Sequence, residues 1–266
     1  MKMWRLLFLL CSVLMVTACS SDDDENNAPN YLPGEIPGLG EAGGQLTGTT
    51  FVLPTGIKLQ EQIKGYGGYI YARSSSVPVS YSEIFAEKER QLQNTPLVLR
   101  ASAASDADVI VGSGYFVSVL CILNSTNNTD TEVVFPAGLI VKALSSDHQN
   151  GVLLKKTSVV VPKNGSLKVA LVMYCGNAGR SASSSSYEYE WGVVTNSDLI
   201  LDLCNRLKDK KINFEEFSKN EGLDVYKEQV DVIQGILWSL TDGYSTSEGI
   251  SESDKKWIAD LPNSSN

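Results

Sequence analysis

Two residues in the C-terminal half of the chain, Cys175 and Gln234, could together carry a covalent reaction. A cysteine thiol can attack the side-chain amide carbon of a glutamine and expel ammonia, which leaves an internal thioester. Such a thioester is an activated acyl group that an amine of another molecule can attack. It persists only where water is kept away until that nucleophile arrives. The chemistry therefore requires that the two side chains meet and are shielded.

The sequence around each residue predicts the element that positions it. Cys175 follows Tyr174 at the end of a stretch in which apolar residues alternate with others, as in a half-buried strand. Gln234 lies in the strongest amphipathic pattern of the chain, which predicts a helix over residues 224–241. Trp238 is one turn further along that helix and projects on the same side, so it is the candidate residue that shields the site.

These two fragments resemble motifs of the thioester domains of bacterial surface adhesins. In that family a Tyr-Cys segment meets a helical Gln that is followed by small, apolar and Trp residues. Here the corresponding runs are Tyr174-Cys175 and the sequence IQGILW at residues 233–238. The resemblance covers only these few residues, and it implies a covalent adhesin that uses Cys175 and Gln234.

A structural interpretation of the same residues stays open beside the chemical one. Cys175 can be a buried apolar residue, or a disulfide partner of Cys121 or Cys204 in an exported protein. These three cysteines are an odd number, so at least one of them cannot pair within the chain. Gln234 would then border the apolar face of its helix, and Trp238 would anchor that helix in the core.

Other catalytic sets find little support. The single histidine, His148, precedes an Asn-Gly turn and is predicted to be an exposed turn residue. The chain has no Gly-x-Ser-x-Gly elbow, His-Glu-x-x-His helix or phosphate-binding glycine loop, and its cysteines are too widely spaced for a zinc knuckle. We therefore predict no catalytic residues, no metal, no other cofactor and no enzymatic activity. A carbohydrate-active enzyme with a pair of carboxylates is the enzymatic alternative, since it needs only two acids.

The N-terminus predicts export and lipid attachment. Residues 1–5 are basic, residues 6–16 are apolar apart from one serine, and small residues follow, which is typical of a signal peptide. The run VTAC at residues 16–19 resembles a lipobox. We predict cleavage between Ala18 and Cys19 and a lipid on Cys19. Ordinary secretory cleavage, with Cys19 incidental, is the alternative.

An acidic run behind this cysteine predicts where the protein is located. Residues 20–25 read SSDDDE, which resembles the surface-export signal of Bacteroidota lipoproteins. The resemblance implies a lipoprotein of the outer membrane that faces the cell exterior, whereas a solvated acidic tether is the simpler interpretation. Loss of residues 1–18 removes two basic residues and no acid, so the net charge falls from −9 to −11. We therefore predict no nucleic-acid partner and a membrane attachment that depends on the lipid alone.

The remaining chain divides into three segments after the signal peptide at residues 1–18. Residues 19–50 are rich in Gly and Pro and predict a flexible tether, with packing of residues 34–40 on the domain as the alternative. Residues 51–192 contain short strand patterns joined by tight turns, with one short helix over residues 83–92, and residues 193–266 contain amphipathic helices. This order predicts a mainly β fold, an immunoglobulin-like antiparallel β-sandwich with a C-terminal α-helical subdomain.

Location and the missing catalytic sets together predict a non-enzymatic function. We expect a lipid-anchored surface protein that binds or adheres to an extracellular protein or glycan. A covalent adhesin with a thioester between Cys175 and Gln234 is the first alternative, and the carbohydrate-active enzyme is the second.

Overall fold

The computed structural model describes residues 31–66, 107–217, 223–244 and 248–265. The predicted signal peptide, the cleavage and lipidation site at Ala18 and Cys19, the acidic run and the helix predicted over residues 83–92 lie outside these ranges. They stay predictions.

Strands occupy the first part of the described chain and helices the last part. The strands are β1 Gly48–Thr50, β2 Ile57–Leu59, β3 Ile63–Gly65, β4 Val109–Gly112, β5 Val117–Ser125, β6 Thr131–Phe135, β7 Leu139–Ala143, β8 Gly151–Val152, β9 Thr157–Val161, β10 Ser166–Cys175 and β11 Glu188–Thr195. The helices are α1 Asp198–Leu207, α2 Leu223–Thr241 and α3 Glu252–Asp260, and a short 3-10 helix spans Phe214–Glu216.

Six strands close into an antiparallel barrel in the order β5, β3, β11, β7, β8 and β10, because β10 pairs again with β5. The pairing of β5 with β10 is the longest and runs from Ser166 opposite Asn124 to Met173 opposite Val117. Three further strands extend the sheet: β2 pairs with β5, β4 runs parallel to β10, and β1 pairs with β11. Strands β6 and β9 form a separate two-stranded sheet.

The predicted immunoglobulin-like β-sandwich is therefore wrong, although the protein is mainly β. A sandwich and a small barrel show the same alternation of apolar and polar residues, because each buries one face of every strand. The difference arises from β10, which pairs with β5 along one edge and with β4 and then β8 along the other. These pairings join distant parts of the chain, so the local pattern does not encode them.

The second half of the predicted tether belongs to the folded domain. Ile36 and Leu39 are 1% and 0% exposed, and Gly48–Thr50 forms strand β1. The tether prediction is therefore wrong for residues 31–50, because the buried side chains of Ile36 and Leu39 and the partly buried ones of Tyr31 and Leu46 pack this stretch on the core. We refer to residues 31–46 as the strap.

The barrel and the helices share one hydrophobic core. Helix α2 packs against β10 and against α1, and α1 also contacts α3. The buried face of α2 carries large apolar side chains at every turn, namely Tyr226, Val230, Ile233, Leu237, Trp238 and Leu240. None of the helices in the described ranges combines the length and the apolar character needed to cross a membrane.

Candidate functional site

The structure brings Cys175 and Gln234 into direct contact across 59 residues of chain. The main-chain N–H of Cys175 donates to Oε1 of Gln234 at 2.8 Å, and Nε2 of Gln234 donates to the main-chain oxygen of Cys175 at 2.9 Å. Both residues are 0% exposed. The structure therefore brings the two residues together in a buried place, with the Gln234 side chain bonded to the main chain of Cys175.

The side-chain amide of Gln234 takes the place of a neighbouring strand at the end of β10. The pairing of β5 with β10 ends at Met173, two residues before Cys175. In an antiparallel ladder a residue of a hydrogen-bonded pair exchanges both of its main-chain bonds with one neighbour. Gln234 accepts from the main-chain N–H of Cys175 and donates to its main-chain oxygen, as the opposite residue of a paired strand would. Because the buried N–H and C=O of Cys175 need partners, this contact fixes helix α2 against the strand.

The sulfur of Cys175 lies against the turn that follows the strand. Its thiol donates to the main-chain oxygen of Asn177, with a sulfur–oxygen distance of 3.2 Å. The main-chain N–H of Asn177 donates back to the sulfur at 3.3 Å. The polar contacts of the sulfur are therefore made with the main chain of Asn177.

Cys121 and Cys204, the two disulfide partners considered for Cys175, are free thiols. Both are buried, and burial raises the pKa of each thiol to about 12. Cys121 lies in β5, where its sulfur donates to the main-chain oxygen of Val169. Thiols with pKa values this high are protonated at neutral pH.

Trp238, the predicted shielding residue, is 0% exposed on the same helix as Gln234. Its ring centroid lies 5.4 Å from that of Phe116, which immediately precedes β5. The contact anchors helix α2 to the barrel one turn beyond Gln234. Trp238 therefore serves as a core anchor, and a direct role in shielding the thioester stays a prediction.

Two buried asparagines beside the pair were not identified from the sequence. Nδ2 of Asn177 donates to the main-chain oxygen of Gly40 at 2.9 Å, and Oδ1 of Asn177 accepts from the main-chain N–H of Asn150 at 3.0 Å. Nδ2 of Asn150 donates to the main-chain oxygen of Gly38 at 3.0 Å. The Gly-Asn sequence after Cys175 does indicate a turn, but it does not reveal these distant partners.

The prediction that His148 is an exposed turn residue is wrong, because the residue is only 4% exposed. Its ring is packed on that of Tyr187, with 3.4 Å between the ring centroids. Burial lowers the pKa of His148, and the nearby charge of Asp147 opposes this shift. In the ranges that the structure covers, no three His, Cys, Asp or Glu side chains are placed to hold a metal ion.

Glu215 and Glu216 are the adjacent acids whose pKa values move in opposite directions. Burial raises the pKa of Glu215. Burial also acts to raise the pKa of Glu216, but hydrogen bonds from Lys155 and other donors outweigh it and leave the pKa lowered. Glu215 accepts from Thr157 and from a main-chain N–H of β4, and Glu216 contacts Lys155 at 2.7 Å. Their oxygens thus hold the 3-10 helix against strands β4 and β9 and the residues before β9, which is a structural role.

Comparisons with protein-family models, with curated proteins and with solved structures found no match for this chain. Function is therefore inferred from the residues themselves. In the described chain, the Cys175–Gln234 contact places a buried side-chain amide against the main chain of a residue that carries a thiol.

Proposed function

We propose that this protein is a non-enzymatic surface adhesin that binds its extracellular target covalently, through an internal thioester between Cys175 and Gln234. The observation that carries this proposal is the reciprocal pair of hydrogen bonds between the Gln234 amide and the main chain of Cys175, at 2.8 and 2.9 Å. The predicted lipid on Cys19 and the predicted acidic export signal support a location on the outer membrane, facing the cell exterior.

Thioester formation is a substitution at the amide carbon of Gln234. The Cys175 sulfur leaves Asn177 and forms a bond to Cδ, the Cδ–Nε2 bond breaks, and the thiol proton departs with the nitrogen as ammonia. Negative charge develops on Oε1 during the attack. The main-chain N–H of Cys175 already donates to Oε1 at 2.8 Å, so it can stabilise that charge without rearrangement.

An amine on the target then completes the covalent attachment. Its nitrogen forms a bond to Cδ of Gln234, the Cδ–Sγ bond breaks, and the amine proton passes to the sulfur of Cys175. The product is an amide that joins the two molecules, and a hydroxyl of a glycan would give an ester in the same way. Each protein molecule reacts once, so the reaction is stoichiometric and agrees with a non-enzymatic adhesin.

The intact mass of the full-length protein tests the thioester. We expect the wild-type chain to lack the mass of one ammonia, relative to the variants Cys175→Ala and Gln234→Ala after allowance for the substituted atoms. Methylamine should add once to the wild type and not to either variant. Cys121→Ala is the matched control, because it removes another buried thiol and should keep the deficit. A wild-type chain of full mass that does not react with methylamine refutes the proposal.

Fractionation tests the proposed anchor. We expect labelled palmitate to enter the wild-type protein but not Cys19→Ser, and the variant to leave the membrane fraction. A protease added to intact cells should degrade the wild-type protein if it faces the exterior. A wild-type protein that carries no lipid would support ordinary secretory cleavage instead.

A further inference from the structure

The strap connects the two elements that carry the proposed thioester. It lies between the turn after Cys175 on one side and the C-terminal end of helix α2, which carries Gln234, on the other. Its two apolar anchors, Ile36 and Leu39, are 1% and 0% exposed. A segment with this composition would pass for a flexible linker in the sequence, yet in the structure it bridges the turn after strand β10 and the end of helix α2.

On the cysteine side, the strap is bound to the two residues that follow Cys175. The main-chain N–H of Gly40 donates to the oxygen of Gly176 at 2.7 Å, and the Asn177 side chain donates to the oxygen of Gly40 at 2.9 Å. A side chain on Gly176 would meet the methyl group of Leu39 at 2.8 Å, so the two are in close contact. Asn177 thus contacts both the strap and the sulfur of Cys175.

On the glutamine side, the strap is bound to the last turn of helix α2. The main-chain N–H of Gly34 donates to the oxygen of Leu240 at 2.8 Å. Gly40 has a φ of +56° and lies so close to the helix end that a Cβ atom would be 1.8 Å from the main-chain oxygen of Thr241. Gly40 therefore contacts the helix end and the cysteine turn at once.

We propose that the strap is the releasable cover of the thioester site, which controls when water and amines reach Cδ of Gln234. This inference rests on the proposed thioester. With the strap bound, Cys175 and Gln234 are 0% exposed. Displacement of the strap frees the main-chain oxygen of Gly176 and the side chain of Asn177, and it opens the side of the site that Leu39 covers.

The strap can detach without unfolding the barrel. It contributes no strand to the six-stranded ring and is joined to the domain by a few hydrogen bonds, the buried side chains of Ile36 and Leu39 and the partly buried side chains of Tyr31 and Leu46. Segments of this kind open locally at a lower free energy than the global unfolding of the protein. A target that competes for the strap's contacts would therefore expose the thioester at the moment of docking.

Alanine at two glycines of the strap tests this cover. Gly40→Ala forces the strap away from Thr241, whereas Gly43→Ala adds a methyl group where no atom lies within 4 Å. We measure the rate of methylamine addition to the full-length protein by intact mass. Gly40→Ala should react about tenfold faster than wild type, which corresponds to about 1.4 kcal/mol of lost strap attachment. Gly43→Ala should react at the wild-type rate. Equal rates in the two variants overturn the proposal.

A second pair of variants tests the cover independently, in case Gly40→Ala does not fold. Leu39→Ala removes the buried anchor, and Leu32→Ala removes a side chain of the same strap that is 49% exposed. Leu39→Ala should also accelerate methylamine addition, and Leu32→Ala should not. If both react at the wild-type rate, the strap does not cover the site.

Failure of the thioester and failure of the cover give different results. A wild-type chain without the ammonia deficit refutes the thioester, and the Cys175 thiol then reports on the strap directly. In that case iodoacetamide should alkylate Cys175 faster in Gly40→Ala than in Gly43→Ala, with Cys121 as the buried internal reference. Equal alkylation refutes the cover. A wild type with the deficit and equal methylamine rates refutes the cover alone.

Discussion

Replacement of Gln234 by glutamate should make the stability of the protein depend on pH in a specific way. A protonated carboxyl group has the shape of the glutamine amide, so it can accept from the main-chain N–H of Cys175 and donate to its oxygen. An ionised carboxylate cannot donate, and at a position that is 0% exposed it has no water to compensate. Gln234→Glu therefore keeps both hydrogen bonds at low pH and loses one of them, with a buried charge added, at neutral pH.

The size of the effect follows from the burial of this position. Burial raises the pKa of an introduced acid by up to about 3–5 units, and each unit corresponds to about 1.4 kcal/mol. The raised pKa belongs to the folded state, so the free energy of unfolding is highest below the ordinary glutamate pKa of about 4.3 and falls as the pH rises towards the raised value. Between about pH 4 and pH 7 we expect Gln234→Glu to lose about 3–4 kcal/mol.

Urea denaturation at a series of pH values measures this loss. Gln234→Met is the matched control, because methionine has a similar volume, does not titrate and makes neither hydrogen bond. The free energy of unfolding of Gln234→Glu should exceed that of the control at low pH and approach or fall below it at neutral pH. Parallel curves for the two variants would show that Gln234 does not contact the main chain of Cys175 in a buried site, and the reasoning would be refuted.

Three further predictions concern the scaffold. Lys155→Met removes the partner that Glu216 contacts at 2.7 Å, so the free energy of unfolding in urea should fall by about 3–5 kcal/mol. Lys156→Met is the control at an exposed position, and it should change the free energy of unfolding by at most about 0.5 kcal/mol. Because the pKa of Glu216 is lowered, the stability from this pair should be complete above its ordinary pKa of 4.5 and be lost as the pH falls further. Lys155→Met should weaken that dependence in acid titrations followed by fluorescence, because the hydrogen bonds from Ser264 and the main chain of Asn213 remain. Gly151→Ala places a methyl group 2.8 Å from a side chain inside the barrel, so it should destabilise the protein by about 1–3 kcal/mol in thermal denaturation, and Gly43→Ala should not.

The sequence predicted those parts of the fold that depend on local patterns. The alternation before Cys175 and the apolar face around Gln234 predicted a strand and a helix, and the structure places these residues in β10 and α2. The closure of the barrel could not be predicted in this way. It depends on which strand lies beside each edge of β10, and that choice is made by contacts between distant residues.

The candidate site shows the same division. Cys175 and Gln234 were recognisable because their neighbours form short, chemically informative motifs. The strap was interpreted as a tether because glycine and proline dominate it, and packing of residues 34–40, which include Ile36 and Leu39, was only the alternative. Asn150 and Asn177 carry ordinary turn signals, and only the folded chain shows that their amides bind the strap. A buried polar network is defined by its partners, which a single local window does not contain.

The contacts of the strap with the end of helix α2 also bear on the order of events during folding. The hydrogen bond from Gly34 to Leu240 joins residues about two hundred positions apart, and pairings at such separation form late because the chain must first close a long loop. The shielded pocket around Cys175 therefore cannot exist until helix α2 has been made and docked. Before that docking the thiol of Cys175 and the amide of Gln234 are apart, so the proposed thioester could form only in a folded molecule. Formation of the proposed thioester would then be limited to correctly folded copies of the protein, and misfolded copies would not react with the target.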